Sequence, residues 1–232
     1  MAEIVLFGAS GGIGQYLTKK LASEHRIVGT YNRSDPSHLD PDATYHRVDV
    51  TDVAAVEGFV ETIGSGLKNP VLIYTPGISP NAMAHKFTEA DWERTLATNL
   101  TGAMRAVRVM LPIMRSLQWG RIIFLSSVLA RQGVPGTIAY AATKAALGAM
   151  VRVLAVENAA KGITANALAL GYFSVGIIEA VPVPYLKEHV IPQIPQGHLG
   201  DPANIAAAVR FIIEADYLTG ATLDINGGMF GA

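Results

Sequence analysis

The sequence predicts a doubly wound α/β domain, in which a parallel sheet of seven strands carries helices on both faces. Short apolar runs rich in Val and Ile alternate with longer stretches whose apolar residues recur at spacings of three and four. A glycine-rich turn also follows the first apolar run and opens the first amphipathic stretch. Parallel strands joined by crossover helices have this pattern.

Each element follows from its own apolar pattern. The predicted strands lie near residues 3–7, 26–31, 44–48, 70–74, 120–125, 164–168 and 221–225. The predicted helices run from about 13 to 23, 52 to 64, 99 to 116, 138 to 160 and 201 to 214. No linker or repeat divides the chain, so we assign residues 1–232 to one domain. Within it, the Pro-rich stretch 172–198 is predicted to be a substrate lid.

Composition excludes several classes of protein. Of the 232 residues, 50% are hydrophobic and 16% are charged, a composition that excludes a mainly disordered chain. The 18 basic and 19 acidic residues give a net charge of −1, without the basic surface that nucleic-acid binding needs. Because the chain has no Cys, it has neither disulfides nor thiolate metal sites. The six His residues show no metal-ligand spacing, so no metal site is predicted.

The low charge content also bears on assembly and location. A surface with so few charged residues is expected to be partly covered by other subunits. The first residues lack the cationic region of a signal peptide, and no run of about 18 apolar residues occurs. We therefore expect an oligomer in the cytoplasm that binds no membrane.

The turn GASGGIG at residues 8–14 can bind a phosphate group. Glycines let the backbone approach a pyrophosphate, and the helix that follows directs its N-terminal amides toward it. A tight turn also needs glycine for steric reasons alone. Gly8, Ser10 and Gly12 satisfy in addition the GxSxG pattern of a hydrolase nucleophile. The hydrolase is disfavoured because the turn follows the first strand, so no earlier strand has a loop that could supply an oxyanion amide.

The most specific constellation is Ser127, Tyr140 and Lys144. Tyr140 and Lys144 are four positions apart in a predicted helix, so their side chains share one face. An ammonium in that position favours tyrosinate and is expected to lower the pKa of Tyr140 from its ordinary value of about 10. A tyrosine of this kind can act as a general acid or base. Ser127 ends the fifth predicted strand, where ligands bind in open α/β sheets.

Taken together, these motifs resemble the short-chain dehydrogenase/reductase family over nearly the whole chain. The supporting segments are GASGGIG, Asp49-Val50, Asn99-Leu100-Thr101-Gly102, Ser127, Tyr140-x-x-x-Lys144, Thr219-Gly220 and Asn226-Gly227-Gly228. The resemblance implies a Rossmann-type fold and a homotetramer. It makes Tyr140 the proton donor to a ketone oxygen and Ser127 the hydroxyl that orients that oxygen. It also implies that Lys144 lowers the tyrosine pKa and holds the nicotinamide ribose, and that Asn99 supports a water relay.

Three segments depart from the usual sequence of that family. Phe7 stands where Thr usually precedes the first glycine, and Tyr74-Thr75-Pro76-Gly77 replaces Asn-Asn-Ala-Gly. Leu170-Gly171 replaces Pro-Gly. No catalytic group is lost, but the packing of strand one on strand four and the geometry around the nicotinamide ring are expected to be affected.

Cofactor choice depends on the end of the second predicted strand, Thr30-Tyr31-Asn32-Arg33-Ser34. The first acid comes only at Asp35, and Arg33 can bind a phosphate, so NADP(H) is predicted over NAD(H). The alternative is that Arg33 is a solvated surface residue. The residues expected to contact the cofactor are Gly8, Ser10, Gly11, Gly12, Ile13, Gly14, Asn32, Arg33, Asp49, Val50, Gly77, Tyr140 and Lys144.

The mostly apolar lid favours an acyl chain near the reacting carbonyl. The family resemblance is nearest to reductases of 3-oxoacyl thioesters, carried by acyl carrier protein or coenzyme A. An acidic carrier protein needs a basic surface. The candidates for it, which could equally be subunit-interface residues, are Arg105, Arg108, Arg115 and Lys161. Two alternatives stay open, namely a reductase of small or cyclic ketones and a non-catalytic NADP-binding sensor.

Overall fold

The computed structural model describes residues 1–34 and 36–229 and contains one seven-stranded parallel sheet. The strands are β1 Glu3–Phe7, β2 Arg26–Tyr31, β3 Thr44–Arg47, β4 Pro70–Tyr74, β5 Gly120–Ser127, β6 Ile163–Leu170 and β7 Thr222–Ile225. Their order is β3-β2-β1-β4-β5-β6-β7, so the chain reverses direction across the sheet between β1 and β4. The predicted fold class, a doubly wound Rossmann-type α/β sheet, is confirmed.

Helices cover both faces of the sheet. They are α1 Gly12–Leu21, α2 Val53–Gly64, α3 Glu89–Leu96, α4 Gly102–Leu117, α5 Ile138–Asn158, α6 Val183–Tyr185 and α7 Ala203–Glu214. Turns of 3₁₀ helix occupy Pro36–His38, Ala84–Lys86, Val128–Ala130, Ala159–Lys161, Gly176–Ala180 and Ile191–Gln193. Two π-helical turns occupy Ala97–Thr101 and Leu186–Val190.

Alternate residues of each strand build two separate cores. On one face, Phe7 and Leu72 are fully buried in a cluster that includes apolar residues of α2, α4 and α5. On the other face, Leu6 and Ile73 are fully buried in a cluster with residues of α1 and α7. Burial on both faces explains why the strands are almost continuously apolar.

Several predicted boundaries differ from the structure, and two helices, α3 and the short α6, were not predicted. The helix predicted from 99 begins at Gly102, because the π-helical turn precedes it. Helix α3 was not predicted, although Thr88 is a helix N-cap whose hydroxyl accepts a hydrogen bond from the Asp91 amide at 3.1 Å. This Thr-x-x-Asp pattern was the signal that could have located it. Strands β5 and β6 each extend to eight buried residues, past the predicted ends at 125 and 168.

Within residues 1–34 and 36–229, one helical stretch, Ile138–Lys161, is long and apolar enough to cross a membrane by length and composition. Lys144 and Arg152 interrupt this stretch, so it is not a continuous apolar run in the sequence. The buried residues of this stretch include Leu147, which belongs to the core cluster beside the sheet. Core helices pass the same test, so the stretch is weak evidence for a membrane span.

Candidate active site

The predicted motifs meet at the carboxyl ends of the central strands. Phe7 at the end of β1 pairs with Tyr74 at the end of β4, and Tyr74 pairs with Phe124 in β5. At the ends of β5 and β6, Ser127 pairs with Leu170. The segments that follow these strands therefore lie at one edge of the sheet, next to the point where the chain reverses.

The glycine-rich turn is shaped by backbone contacts that a side chain would block. Gly8 has a φ of 79° and donates its amide to Thr30 Oγ1 at 3.1 Å. A Cβ on Gly14 would collide with the carbonyl oxygen of Gly8. One on Gly12 would lie 2.6 Å from the amide nitrogen of Gly176. The turn thus brings bare backbone to the N-terminus of α1, as a dinucleotide pyrophosphate requires.

The remaining residues of the turn belong to the same phosphate-binding surface, which we call the glycine cradle (residues 8–14). Ser10 is half-buried, and its carbonyl accepts a hydrogen bond from Gln15 Nε2 at 2.8 Å. The exposed Gly11 donates its amide to the Gly8 carbonyl at 3.1 Å. Ile13 faces the segment predicted to be a lid, because a Cβ on Gly176 would lie 3.6 Å from Ile13 Cγ1. This segment therefore contacts the predicted phosphate site.

At the other end of the cradle, four predicted cofactor residues come together. Hydrogen bonds from Thr51, a hydrogen bond from Asn32 and the positive charge of Arg33 hold the pKa of Asp49 below its ordinary value. Val50 is buried beside them. Arg33 itself is exposed. Asp35, the first acid after β2, lies outside the described residues.

Tyr140 and Lys144 share one face of α5, as predicted from their spacing. Lys144 Nζ lies 5.4 Å from the centroid of the Tyr140 ring. Burial lowers the pKa of Lys144 to about 8. Ser127 is buried and hydrogen-bonded to Tyr140, and its Oγ also accepts a hydrogen bond from the amide of Leu129 at 3.2 Å. The structure therefore places the predicted Ser, Tyr and Lys together.

The predicted lowering of the Tyr140 pKa is not what the structure gives. Burial is the largest influence and raises the pKa of Tyr140, while the hydrogen bond with Ser127 opposes the rise and Tyr172 adds to it. Lys144 Nζ donates to the carbonyl oxygen of Leu125 at 2.7 Å. Desolvation of Tyr140 therefore affects its pKa more than the nearby lysine does, although the helical spacing alone predicts a lower pKa.

Asn99 lies between the end of β4 and α5 and is completely buried. Its Oδ1 accepts a hydrogen bond from the Ile78 amide at 2.8 Å. Its Nδ2 donates to the Ile78 carbonyl at 2.9 Å and to Thr143 Oγ1 at 3.2 Å. A Cβ on Gly77 would lie 3.5 Å from Lys144 Nζ and 3.8 Å from Asn99 Oδ1. Asn99, Gly77 and Lys144 are thus neighbours in one small volume.

The departures from the usual family sequence are accommodated without loss of the β1–β4 pairing. Thr75 Oγ1 donates to the carbonyls of Phe7 and Gly8 at 2.8 and 3.1 Å. The rings of Phe7 and Tyr74 pack with centroids 6.0 Å apart. Leu170 is buried at the end of β6. The sequence departures were expected to disturb the packing of these strands. The Phe7–Tyr74 ring pair and the Thr75 hydroxyl maintain that packing instead.

Sequence reasoning missed two residues of the site, Tyr172 and Thr143. Tyr172 is close enough to Tyr140 to influence its pKa, and Thr143 accepts the hydrogen bond from Asn99. The position of Tyr172 just after β6 was the available signal, since ligands bind beyond strand ends. Nothing in the sequence marks Thr143. In the described part of the chain, no group of three or more His, Asp or Glu could hold a metal ion.

The fold and the grouping of Ser127, Tyr140, Lys144 and Asn99 define the class. The chain belongs to the short-chain dehydrogenase/reductase family, and a family model described as Enoyl-(Acyl carrier protein) reductase matches residues 8–230. It is an oxidoreductase that uses a nicotinamide cofactor, which the glycine cradle fits. The predicted family is therefore confirmed.

Among known proteins, the chain is similar to reductases of acyl thioesters. An acetoacetyl-CoA reductase of Shinella zoogloeoides is 36% identical over 239 aligned positions, which cover 99% of each chain. An acetoacetyl-CoA reductase of Rhizobium meliloti is 34% identical over the full length of both chains. The 3-oxoacyl-[acyl-carrier-protein] reductase FabG of Escherichia coli is 32% identical over 96% of this chain and 95% of its own.

Proposed function

We propose that this protein reduces the β-keto group of a 3-oxoacyl thioester with NADPH. The observation that carries the proposal is the hydroxyl pair of buried Ser127 and half-buried Tyr140 at the strand ends, with Lys144 one helical turn from Tyr140. Two hydroxyls beside an amine form a site for a carbonyl oxygen that gains negative charge. Similarity to acetoacetyl-CoA reductases supports a β-keto thioester as the substrate.

The chemistry divides between cofactor and protein. The reduced nicotinamide, when bound, supplies a hydride to the carbonyl carbon. Ser127 holds the carbonyl oxygen by a hydrogen bond, and Tyr140 gives its proton to that oxygen as the C=O π bond breaks. Because burial raises the pKa of Tyr140, its hydroxyl carries the proton before reaction. Burial lowers the pKa of Lys144 to about 8. Lys144 can therefore return a proton to Tyr140, and the lysine in turn receives that proton from solvent by way of Asn99.

Residues beyond β2 favour NADPH over NADH. Asn32 and Arg33 both lower the pKa of Asp49, so they lie beside the residue expected to line the adenosine end of the cofactor site. The exposed guanidinium of Arg33 can form paired hydrogen bonds with a 2′-phosphate. The alternative, a purely solvated Arg33, predicts no discrimination between the two cofactors.

Coenzyme A fits the described surface better than an acyl carrier protein. The guanidinium groups proposed for a basic docking surface already have partners within the chain. Arg105 donates to the carbonyls of Val50 and Thr51, and Arg108 pairs with Glu57. Arg115 donates to Asn158 Oδ1. These contacts occupy guanidinium donors of all three arginines, and Glu57 also offsets the charge of Arg108, so less of this surface is available to an acidic carrier.

We also propose that the enzyme is a cytoplasmic homotetramer. Val153 and Val156 on α5 are 57% and 86% exposed, and Met104 on α4 is 49% exposed. Apolar side chains on neighbouring helices favour coverage by another copy of the chain. Light scattering of the purified protein measures the mass directly. A monomer at micromolar concentration would contradict this assembly.

The function is tested by following NADPH absorbance with a panel of substrates. Acetoacetyl-CoA should be reduced, and Tyr140→Phe should lower the rate of its reduction about 10³-fold while NADPH binding, measured by fluorescence, is retained. Turnover of cyclic and aliphatic ketones alone would favour the small-ketone alternative. Reduction of crotonyl-CoA would instead fit the enoyl reductase that the family description names. NADPH binding without turnover of any of these compounds would fit the sensor.

A further inference from the structure

Tyr74 connects the end of β1 to the segment that precedes α4. Its side chain is only 1% exposed, and its ring packs against the ring of Phe7 at a tilt of 35°. On the other side, its hydroxyl donates a hydrogen bond to the carbonyl oxygen of Thr98. The usual family sequence has Asn at this position, so the contact is a property of this chain.

Thr98 belongs to the π-helical turn Ala97–Thr101, at whose centre Asn99 lies. The amide of Gly102 donates to the carbonyl of Ala97, five residues earlier. A helix widened in this way shifts the usual pairing of its carbonyls, and such turns are frequent at functional sites. The Tyr74 hydroxyl gives the Thr98 carbonyl a donor from outside the helix. Gly102 makes room for it, because a Cβ there would collide with that hydroxyl.

The position of the turn determines where the Asn99 side chain lies. Asn99 holds the backbone of Ile78, next to Gly77, and donates to Thr143, the residue before Lys144. A shift of the turn would therefore move the contacts that join the β4 end to α5 beside the lysine. Burial also raises the pKa of Tyr74 well above its ordinary value, so the hydroxyl remains a donor at any working pH.

We propose that Tyr74 is a positioning residue that fixes Asn99, and through Asn99 the surroundings of Lys144, for proton supply to Tyr140. The inference rests on the proposed function, which assigns proton supply to Lys144 and Asn99. Tyr74 touches none of the reacting groups itself. Its effect is therefore expected mainly on the rate of the chemical step.

The first test is a double-mutant cycle on acetoacetyl-CoA reduction. Tyr74→Phe keeps the ring and removes the hydroxyl, and it should lower kcat roughly tenfold while the KM for NADPH stays within about twofold. In an Asn99→Ala background the same change should have no further effect, because residues that act as one unit are not additive. Equal losses in both backgrounds, or no loss in either, would overturn the inference.

Two further variants separate positioning from general damage. Gly102→Ala blocks the same contact from the helix side and should reproduce the fall in kcat. Tyr45→Phe is the matched control, because the Tyr45 hydroxyl bonds to Thr18 in the other core. This variant should keep the wild-type kcat. A kcat for Tyr45→Phe as low as that of Tyr74→Phe would assign the loss to stability alone.

Hydrogen exchange makes the inference independent of the substrate. The backbone amides of residues 98–103 should exchange roughly tenfold faster in Tyr74→Phe than in the wild type, and at the wild-type rate in Tyr45→Phe. Unchanged exchange in Tyr74→Phe would overturn the inference even in an active enzyme. If the wild type reduces no β-keto thioester, the proposed function fails, while the exchange experiment still decides whether Tyr74 holds the turn.

Discussion

Lys144 Nζ donates a hydrogen bond to the carbonyl oxygen of Leu125 at 2.7 Å, which joins the catalytic helix α5 to strand β5. The lysine side chain is 5% exposed. Ser126 Oγ strengthens the same junction, because it donates to the Lys144 carbonyl at 2.8 Å. These contacts hold the buried amine next to Tyr140, where it is desolvated. This desolvation is expected to affect both the stability of the protein and the pH dependence of the reaction.

Replacement of Lys144 by Met should stabilise the protein in the absence of cofactor. The unfolded chain keeps the proton up to the ordinary pKa of 10.5, whereas the folded chain loses it near 8. The free energy of unfolding of the wild type should therefore rise between pH 8 and 10.5. Lys144→Met lacks this rise, so its advantage is about 3 kcal/mol or less below pH 8 and disappears above 10.5.

Denaturant unfolding at several pH values checks this prediction, with Lys19→Met on the exposed face of α1 as the control. The control should show no gain that depends on pH. A Lys144→Met variant that is less stable than the wild type at pH 7 would show that the Leu125 hydrogen bond outweighs the desolvation of the amine.

Tyr140→Phe should lower the rate of reduction about 10³-fold, because the proton donor is lost while the ring remains. The affinity for NADPH should stay within about twofold, as only a hydroxyl is removed. Single-turnover absorbance and fluorescence titration measure the two quantities. Tyr185→Phe in the lid provides a comparison for loss of a tyrosine hydroxyl. A residual rate above a tenth of the wild-type rate would remove Tyr140 from the mechanism.

The pH dependence should differ between the two directions of the reaction. Reduction should decline above about pH 8, where Lys144 loses the proton that it returns to Tyr140. Oxidation of the alcohol should instead rise with pH, because it needs the ionised phenol and burial raises the pKa of Tyr140. Profiles of kcat in both directions test this. A reduction rate that stays flat from pH 6 to 10 would argue against proton supply through Lys144.

Arg33→Ala should weaken NADPH more than NADH. The loss of one charged hydrogen-bonding group at a phosphate is expected to raise the KM for NADPH roughly tenfold or more and to leave that for NADH within about twofold. The ratio of kcat/KM for the two cofactors is the measurement. Arg26→Ala is the control and should leave the ratio unchanged, because Arg26 lies at the opposite end of β2 and pairs with Glu3. Equal use of both cofactors by the wild type would contradict the proposed preference.

Arg105→Met should raise the KM for NADPH without a matching loss of kcat. Arg105 Nη1 donates to the carbonyls of Val50 and Thr51 at 3.1 and 3.0 Å, and so supports the loop expected to face the adenine. Loss of both hydrogen bonds is expected to cost about tenfold in cofactor affinity. Arg108→Met, which removes only an exposed pair with Glu57, should have no such effect. Parallel falls in kcat for both variants would contradict this role.

Local sequence was sufficient for the features that depend on short-range geometry. Short apolar runs determined the strands, the glycine turn followed from its position after β1, and a spacing of four placed Tyr140 and Lys144 on one helix face. The carboxyl-end rule for parallel sheets brought Ser127 to the same edge. Each of these depends on contacts within a few residues or on a general rule of topology.

Tertiary structure alone decided the electrostatics and the contacts between distant segments. The pKa of Tyr140 depends on burial and not on helical spacing, so its direction was wrong in the prediction. The contact of Tyr74 with the turn around Asn99 joins residues 24 positions apart, and no periodic pattern encodes it. Desolvation and long-range hydrogen bonds arise only when the chain folds around its core. For this reason, sequence patterns identified the reacting groups but not the residues that position them.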